Sequence, residues 1–503
     1  MDESLSHADI SSDSGRRRGG WITFPFIIGA LGGLTLAAGG WISNLIVFLI
    51  EEFNVNSIDA AQIVSISNVV YGSVCFFPII GAIIADSFFG SFYVISISPC
   101  ISLLGIVLLV LTATLNSLKP QPCATGSKLC QPTSALQYAV FYTGITLASL
   151  GLGANLIGMA IFFSGSRFYK FDKPQGSPFV GLGRVIVASV RKTSLQLSTE
   201  RKDYYYGHDG VTNNVAAATL SKSFRFLNRA AQKIEGDVKS DGSIAKPWSL
   251  CTTQQVEDFK TVLRIFPLWS TALFLATPIA IQSSMSVLQA LTMDRHIGPH
   301  FKLPSSSVIV IVLFSTSIFL TLIDRFLCPI WQKFTGQLPL PLQRVGVGHV
   351  LTILSMAVSA VMESKRLKIV QEHHLQDQPG TIVPMSTFWL FPQLVLVGIG
   401  EAFHFPGQVA LFYQEFPMSL RSTSTALISL IIGIAYYVST GVVNMVQRVT
   451  GWLPNNLNNG KLDNVYWMLA VLGVINFGYY LLCAKLYRYQ NVKGADGSPD
   501  PDS

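Results

Sequence analysis

Long apolar stretches constrain this chain more than any other feature of its sequence. A helix needs about 20 apolar residues to cross a bilayer, and ten candidate stretches occur along the 503 residues. Four precede a long polar segment and six follow it, which predicts an all-α polytopic membrane protein. The candidate spans are residues 22–50, 61–85, 91–116, 136–164, 264–291, 306–328, 345–362, 388–413, 423–446 and 464–487.

The composition agrees with many membrane spans and argues against other classes of protein. Half of the residues are hydrophobic and 13% are charged, against roughly 25% charged in soluble domains. The formal net charge of +7 comes from basic residues beside the apolar stretches, where they set orientation. The lipid bilayer is therefore an expected partner and nucleic acid is not. The sequence has no Cys-x-x-Cys and no metal-ligand cluster, so we predict no metal and no cofactor.

Basic residues also predict the orientation of the chain. Arg16, Arg17 and Arg18 directly precede the first apolar stretch, which argues for a cytosolic N-terminus. An even number of spans then returns the C-terminus to the cytosol. In this topology Cys123 and Cys130 share an outside loop, where they either form a disulfide or remain free.

The predicted domains follow from this order of spans. Apolar residues at helical spacing from Leu220 to Ile234 predict an amphipathic helix under the bundle or on the anionic leaflet, or else a solvated linker helix. The stretch 136–164 would form a helix about 43 Å long, so we predict one long tilted helix. The domains are a cytosolic tail (1–20), a reduced N-terminal bundle of about four spans (21–166), a cytosolic central loop (167–262), a C-terminal bundle of six spans (263–488) and a cytosolic tail (489–503).

One span carries the strongest functional signal. The stretch 388–413 has Glu401 near its middle and His404 one turn later, and Pro406 interrupts the helix beside them. An ionisable side chain at mid-membrane depth costs about 2.5 kcal/mol or more and normally faces a cavity or a partner. Two acidic turns add a hint of internal repetition, because Asp86 follows the second span and Asp324 ends the sixth, which fits a transporter built from two bundles.

Several stretches resemble one transporter family. The sequence GAIIADSFFG, from Gly81 to Gly90, resembles the signature of the proton-dependent oligopeptide transporter family, whose plant branch is the nitrate/peptide transporter family of the major facilitator superfamily. The resemblance implies a major-facilitator-like fold of two bundles, here with about 10 spans (4 + 6) instead of 12, and a transporter rather than an enzyme. Further similar stretches are residues 168–178, 251–270, 286–304 and 400–422.

The chain departs from that family on its first helix. Proton-coupled members carry an E-x-x-E-R motif whose positions here read Leu31, Leu34 and Thr35. Together with residues 33–55, this loss resembles the subgroup of nitrate-excretion and chloride-permeable transporters. The resemblance implies passive or weakly proton-coupled movement of nitrate or chloride, and a plasma-membrane location. A proton-coupled nitrate or peptide symporter remains the alternative.

A second departure concerns the number of helices. Residues 141–153 resemble the start of the family's fourth helix, whereas residues 154–170 resemble the end of its sixth. Most of helix four and all of helix five would then be missing. This leaves open a transport-defective form with a regulatory role, acting through homo- or hetero-oligomers with related transporters.

Each candidate site residue has a functional and a structural interpretation. Glu401 is either a gate or proton-sensitive switch, or a structural acid bonded to Tyr413, His404 or water. His404 either shares the proton of Glu401 or is a packed neutral side chain. Arg264 either attracts anions at the inner end of its span or only sets topology.

The other polar candidates follow the same pattern. Gln282 and Gln289 either place amides in the substrate pathway or pack within the bundle. The signature residues are interpreted as structural and are Gly81, Asp86, Gly90, Asp324 and Arg325. No Ser/His/Asp arrangement or pair of carboxylates falls on one face, so the sequence does not predict an enzyme.

Overall fold

The computed structural model describes most of the chain. It covers residues 23, 25–27, 29, 60–84, 88–89, 91–115, 117–118, 134–150, 156–168, 178–198, 200–207, 220–221, 223–239, 242–376, 378, 381–416, 421–454 and 456–487. The predictions that fall outside these residues concern Leu31, Leu34, Thr35, Asp86, Gly90, Cys123 and Cys130.

Helices dominate the described residues, and seven of the described helical segments are long and apolar enough to cross a membrane. These seven correspond to α2, α6, α7 continued by α8, and α9 to α12 of the following numbering. The helices are α1 (Ala60–Ile84), α2 (Ser91–Thr114), α3 (Ala135–Leu150), α4 (Leu156–Ser164), α5 (Pro178–Arg191), α6 (Thr253–Thr292), α7 (Val310–Leu322), α8 (Cys328–Thr335), α9 (Pro341–Glu372), α10 (Phe391–Glu415), α11 (Arg421–Thr450) and α12 (Leu462–Leu486).

Two small sheets connect the ends of these helices. Strand β1 (Met293–Asp294), directly after α6, pairs in parallel with β4 (Val383–Ser386), which precedes α10. Strands β2 (His296–Ile297) and β3 (Phe301–Lys302) form an antiparallel hairpin. The first sheet brings the end of α6 close to the start of α10.

Residues 1–42 and 87–175 form one compact unit. In it, α2 and α3 approach each other so closely that a Cβ on Gly105 would collide with the backbone of Ala148. Ser102 Oγ donates a hydrogen bond of 2.8 Å to the carbonyl oxygen of Ala148 at the same crossing. The predicted span 136–164 is described as two helices, α3 and α4, and residues 151–155 between them lie outside the described residues.

Residues 43–86 and 176–503 form the second compact unit. It includes α1, which the sequence analysis groups with the N-terminal bundle. The amide of Asn68 on α1 donates to Ser439 Oγ on α11 at 2.9 Å and accepts from Ser284 Oγ on α6 at 2.7 Å. All three side chains are buried, so α1 is joined to the C-terminal helices by polar contacts as well as by packing.

Three predicted helix ends are wrong. Helix α6 begins at Thr253 and not near residue 264, because Thr252 and Gln255 form a reciprocal capping box. The predicted span 306–328 continues beyond residue 328 to Thr335, because a π-helical turn (Ile323–Leu327) joins α7 to α8. Helix α9 extends beyond the predicted 345–362 to Glu372, since charged side chains in its last turns are buried and paired.

The central segment is folded, but not as predicted. The amphipathic helix expected from Leu220 to Ile234 is wrong: only Arg225–Ala231 is helical, as a 3-10 helix, and Phe224 before it has a left-handed φ of 47°. Leu227, Ala230 and Ala231 are buried against α5 and the start of α6. The apolar spacing therefore reflects a small local core and not a membrane-facing stripe.

An ion pair lies inside this central segment. Lys192 Nζ is 2.8 Å from Asp237 Oδ2, and both side chains are almost fully buried. Lys192 also donates to the carbonyl oxygen of Gln232 at 2.6 Å. A paired and hydrogen-bonded charge is tolerated in such an interior, so this contact holds the end of α5 against the segment that follows the 3-10 helix.

The reactivity of the Cys251 thiol is a measure of whether the local core of the central segment is folded. Its side chain is fully buried, and burial raises the pKa of the thiol from 9.0 to about 11, although the Lys192 and Arg184 charges lower it. The thiolate is the reactive form, so we expect alkylation of Cys251 at pH 8 to be on the order of 100-fold slower in the folded protein than in the denatured chain. Peptide-resolved mass spectrometry after iodoacetamide labelling measures the ratio.

The raised pKa of Cys251 also makes the free energy of unfolding depend on pH. The folded state favours the neutral thiol, so its contribution is complete below about pH 9 and is lost as the pH rises through about 11. The Cys251→Ser variant should lack this alkaline loss. Equal labelling rates in the folded and denatured chains would contradict the buried position of the thiol.

Candidate functional site

The candidate site centres on Glu401 in the middle of α10. Its carboxylate accepts a hydrogen bond of 3.4 Å from Thr316 Oγ1 on α7, and the side chain is partly buried. The single hydroxyl proton of Thr316 is shared, because Thr316 Oγ1 also lies 2.8 Å from the carbonyl oxygen of Val312 and 3.1 Å from that of Gly398. Among the described residues Glu401 forms no ion pair. The acid is therefore held by one hydroxyl, and its carboxyl can take up or release a proton without breaking an ion pair.

A glycine makes this contact possible. A Cβ on Gly398 would collide with Ser315 Oγ and would come within 2.7 Å of the carbonyl oxygen of Val312. The absence of a side chain lets α7 and α10 approach backbone to backbone, as small residues do in membrane helices. This approach brings Thr316 within reach of Glu401.

His404 is not brought to Glu401 by a described contact. It is buried on the side of α10 that faces α9, where its ring meets His349 edge to face with centroids 5.8 Å apart. His349 in turn stacks on Tyr480 of α12 at 4.6 Å. The two residues of the predicted pair therefore face different helices: Glu401 contacts α7 and His404 contacts α9.

The two glutamines bind other side chains of the bundle. The amide nitrogen of Gln282 donates to Ser355 Oγ at 2.9 Å and to Ser359 Oγ at 2.7 Å, which joins α6 to α9. Gln289 donates to Glu363 at 2.6 Å and accepts from the hydroxyl of Tyr466 at 3.1 Å. Both glutamines are fully buried. Their place in a substrate pathway stays a prediction.

Arg264 on α6 and Asp324 in the π-helical turn after α7 make polar contacts outside their own helices. A guanidinium nitrogen of Arg264 donates to Ser221 Oγ at 2.8 Å and to Ser223 Oγ at 2.9 Å, both in the central segment. Asp324 pairs with Arg344 of α9 at 3.1 Å. Arg325 is exposed, and Gly81 lies near the end of α1. Among the described residues no group of three metal-ligating side chains occurs.

Sequence reasoning missed a buried ion pair on α9. Glu363 and Arg366 lie 2.7 Å apart and are both fully buried. Arg366 also donates to Asn458 Oδ1 at 2.7 Å and to Thr292 Oγ1 at 3.2 Å. The signal was available: opposite charges three residues apart share a helix face. The pair lies directly after the predicted span 345–362, so the apolar pattern did not include it.

The fold is that of a multi-span helical membrane protein. A solved structure described as an auto inhibited POT family peptide transporter matches with a TM-score of 0.64 at 15% identity, covering 95% of this chain and 99% of that one. The POT family transporter PepTSo matches with the same TM-score at 16% identity, covering 94% and 99%.

Sequence comparison narrows the class. The model of the POT family matches residues 154–459. The Arabidopsis thaliana protein NRT1/ PTR FAMILY 2.7 is 50% identical over 97% of this chain and 96% of its own length. Protein NRT1/ PTR FAMILY 2.6 of the same plant is 48% identical over 99% and 98%. The chain belongs to the POT family, as the resemblance of its signature stretches predicts.

The alignments also show an internal difference in length. The match to NRT1/ PTR FAMILY 2.7 spans 549 positions, which exceeds the 503 residues of this chain. Within the aligned region, some residues of the relative therefore have no counterpart in this chain.

Proposed function

We propose that this chain carries small anions across the plasma membrane, nitrate first and chloride second, by alternating access of its two halves and with weak or no proton coupling. The names of its relatives, which contain NRT1/ PTR FAMILY, support the assignment to this branch. The non-ionisable residues Leu31, Leu34 and Thr35 at the positions of the proton-coupling motif support passive transport.

The surroundings of Glu401 carry the proposal. A zwitterionic peptide needs a cation for its carboxylate, and among the described residues no basic side chain pairs with this mid-membrane acid. An anion passing an ionised carboxylate at about 4 Å meets a repulsion of roughly 4 kcal/mol at an effective dielectric constant of 20. The neutral form of Glu401 is therefore the form that admits an anion, and the carboxyl acts as a gate.

Flux through liposomes tests this gate. The purified 503-residue chain is reconstituted, and labelled nitrate efflux is measured at equal pH on both sides, at several pH values. We expect efflux without a pH gradient that falls as the pH rises, because ionisation of Glu401 repels the anion. Glu401→Gln keeps an acceptor for Thr316 and removes the charge, so it should keep nitrate flux and lose most of that pH dependence.

Glu372→Gln, at the exposed end of α9, is the matched control and should behave as wild type. Strict proton-driven peptide uptake with no nitrate efflux would overturn the proposal. Loss of flux in Glu401→Gln with retained folding would overturn the gate while leaving transport in place.

A transport-defective form is the second candidate. The alignment exceeds this chain in length, and the family match begins at residue 154, where the sequence pattern indicates a missing helix pair. Folded protein that inserts in liposomes and gives no flux at any pH would favour this candidate. A changed flux of a co-expressed full-length relative would then indicate a regulatory role.

A further inference from the structure

Two serine hydroxyls of the central segment lie against cations at the start of α6. Arg264 donates to Ser221 Oγ at 2.8 Å and to Ser223 Oγ at 2.9 Å. Lys260 Nζ lies 3.3 Å from Ser221 Oγ and 3.1 Å from the Ser221 carbonyl oxygen. Both cations therefore turn toward neutral hydroxyls of one short stretch.

The side chains around Ser221 and Ser223 carry more positive than negative charge. Lys260 is fully buried and pairs with Glu257 at 2.7 Å. The same Glu257 oxygen also accepts the backbone N–H of Ser221 at 2.9 Å. Among the described residues Arg264 has no carboxylate partner. Two cations and one carboxylate thus lie around these neutral hydroxyls, which leaves one positive charge without a carboxylate.

The two serines differ in their exposure to solvent. Ser223 is exposed, whereas Ser221 is half-buried. Ser223 directly precedes Phe224, whose left-handed backbone leads into the 3-10 helix, and basic residues flank it in sequence at Lys222 and Arg225. A kinase with an acidic substrate groove would recognise this context.

We propose that Ser223 is a phosphorylation site whose phosphate is bound by Arg264, with Lys260 adding to the local positive charge. In the reaction Ser223 Oγ attacks the γ-phosphorus of ATP on a protein kinase. The new Oγ–P bond forms as the bond from that phosphorus to the bridging oxygen breaks, ADP leaves, and the hydroxyl proton passes to the base of the kinase.

The phosphate changes a neutral contact into a charged one. A phosphoserine carries about −1.5 to −2 charges and forms charge-assisted hydrogen bonds with arginine. It therefore fastens the central segment to the first turns of α6, the helix that also carries Gln282 and Ser284 into the bundle. If the proposed transport function holds, the modification also slows the flux that depends on movement of α6.

The first test installs phosphoserine genetically at position 223 of the full chain and measures hydrogen exchange of residues 223–231. We expect exchange to slow by about tenfold, the effect of one strong charge-assisted contact. Phosphoserine at Ser194, an exposed serine of the same segment, should have no such effect there. Arg264→Gln should abolish the slowing at position 223. Unchanged exchange, or equal slowing in Arg264→Gln, would overturn the phosphate-binding role.

The second test asks whether the site can be modified. Proteoliposomes with the chain are incubated with a basophilic protein kinase and Mg-ATP, and phosphate is localised by mass spectrometry, with Ser223→Ala as the blank. Phosphate on Ser223 supports the proposal. Phosphate on Ser194 without any on Ser223 would overturn it. Neither readout depends on nitrate flux, so failure of this proposal is distinguishable from failure of the proposed function.

Discussion

Arg366→Ala is expected to remove most of the folded protein. In the wild-type protein the side chains of Glu363 and Arg366 lie 2.7 Å apart. The substitution leaves Glu363 fully buried without this cation. It also removes the donors to Asn458 and Thr292, which join α9 to the loop before α12 and to the end of α6. Breaking a buried pair by removing one partner costs about 3–5 kcal/mol, a large share of the 5–15 kcal/mol that stabilises a typical protein.

Thermal unfolding of the purified chain in detergent measures this loss. Lys368→Ala is the matched control, since Lys368 is an exposed cation on the same helix, and it should unfold like wild type. The double variant Glu363→Leu/Arg366→Met should recover part of the stability, because no charge remains buried. An Arg366→Ala protein as stable as the Lys368→Ala protein would show that the pair does not hold these elements together.

Gly398→Ala is expected to affect both stability and transport. The added Cβ would lie 2.7 Å from the carbonyl oxygen of Val312 and would collide with Ser315 Oγ, so α7 and α10 must separate. Overpacking of this kind costs about 1–3 kcal/mol. The separation also lengthens the Thr316–Glu401 hydrogen bond, already 3.4 Å, and should reduce anion flux more than the loss of stability alone would.

The control for this substitution is Gly478→Ala on α12. A Cβ there meets nothing within 4 Å, and alanine is favoured over glycine in a helix by about 1 kcal/mol. Gly478→Ala should therefore be neutral or stabilising and should keep wild-type flux. Equal unfolding temperatures and equal flux for the two variants would mean that the α7–α10 contact is not tight in the protein in solution.

The fold class, a helical membrane protein, was predictable because it depends on local composition. A run of about 20 apolar residues is stable in lipid as a helix whatever its neighbours are, and α2, α6, α9, α10, α11 and α12 all occur where such runs indicate them. Helix ends were less predictable. Glu363 and Arg366 follow the predicted span 345–362, and only their burial between α6, α9 and α12 explains why α9 continues to Glu372.

The central segment shows the same limit. The spacing of Leu227, Ala230 and Ala231 is compatible with an amphipathic helix, and a single sequence gives no means of telling a membrane face from a protein core. Their burial against α5 and the start of α6 is a tertiary fact. Helix α5 itself was not predicted, since its short apolar pattern is also compatible with a loop.

For the candidate site, the sequence by itself determined that an acid lies near the middle of a long apolar run. This position of Glu401 predicts mid-membrane depth and a polar partner, because a charge in lipid is costly. The sequence also determined the family, through signature stretches that the comparisons confirm. Only the tertiary structure decided the partners: Thr316 for Glu401, His349 for His404, Glu363 for Gln289, and two serines for Arg264. These pairs join residues about 40 to 85 positions apart, and their distances depend on how whole helices pack, which no local spacing encodes.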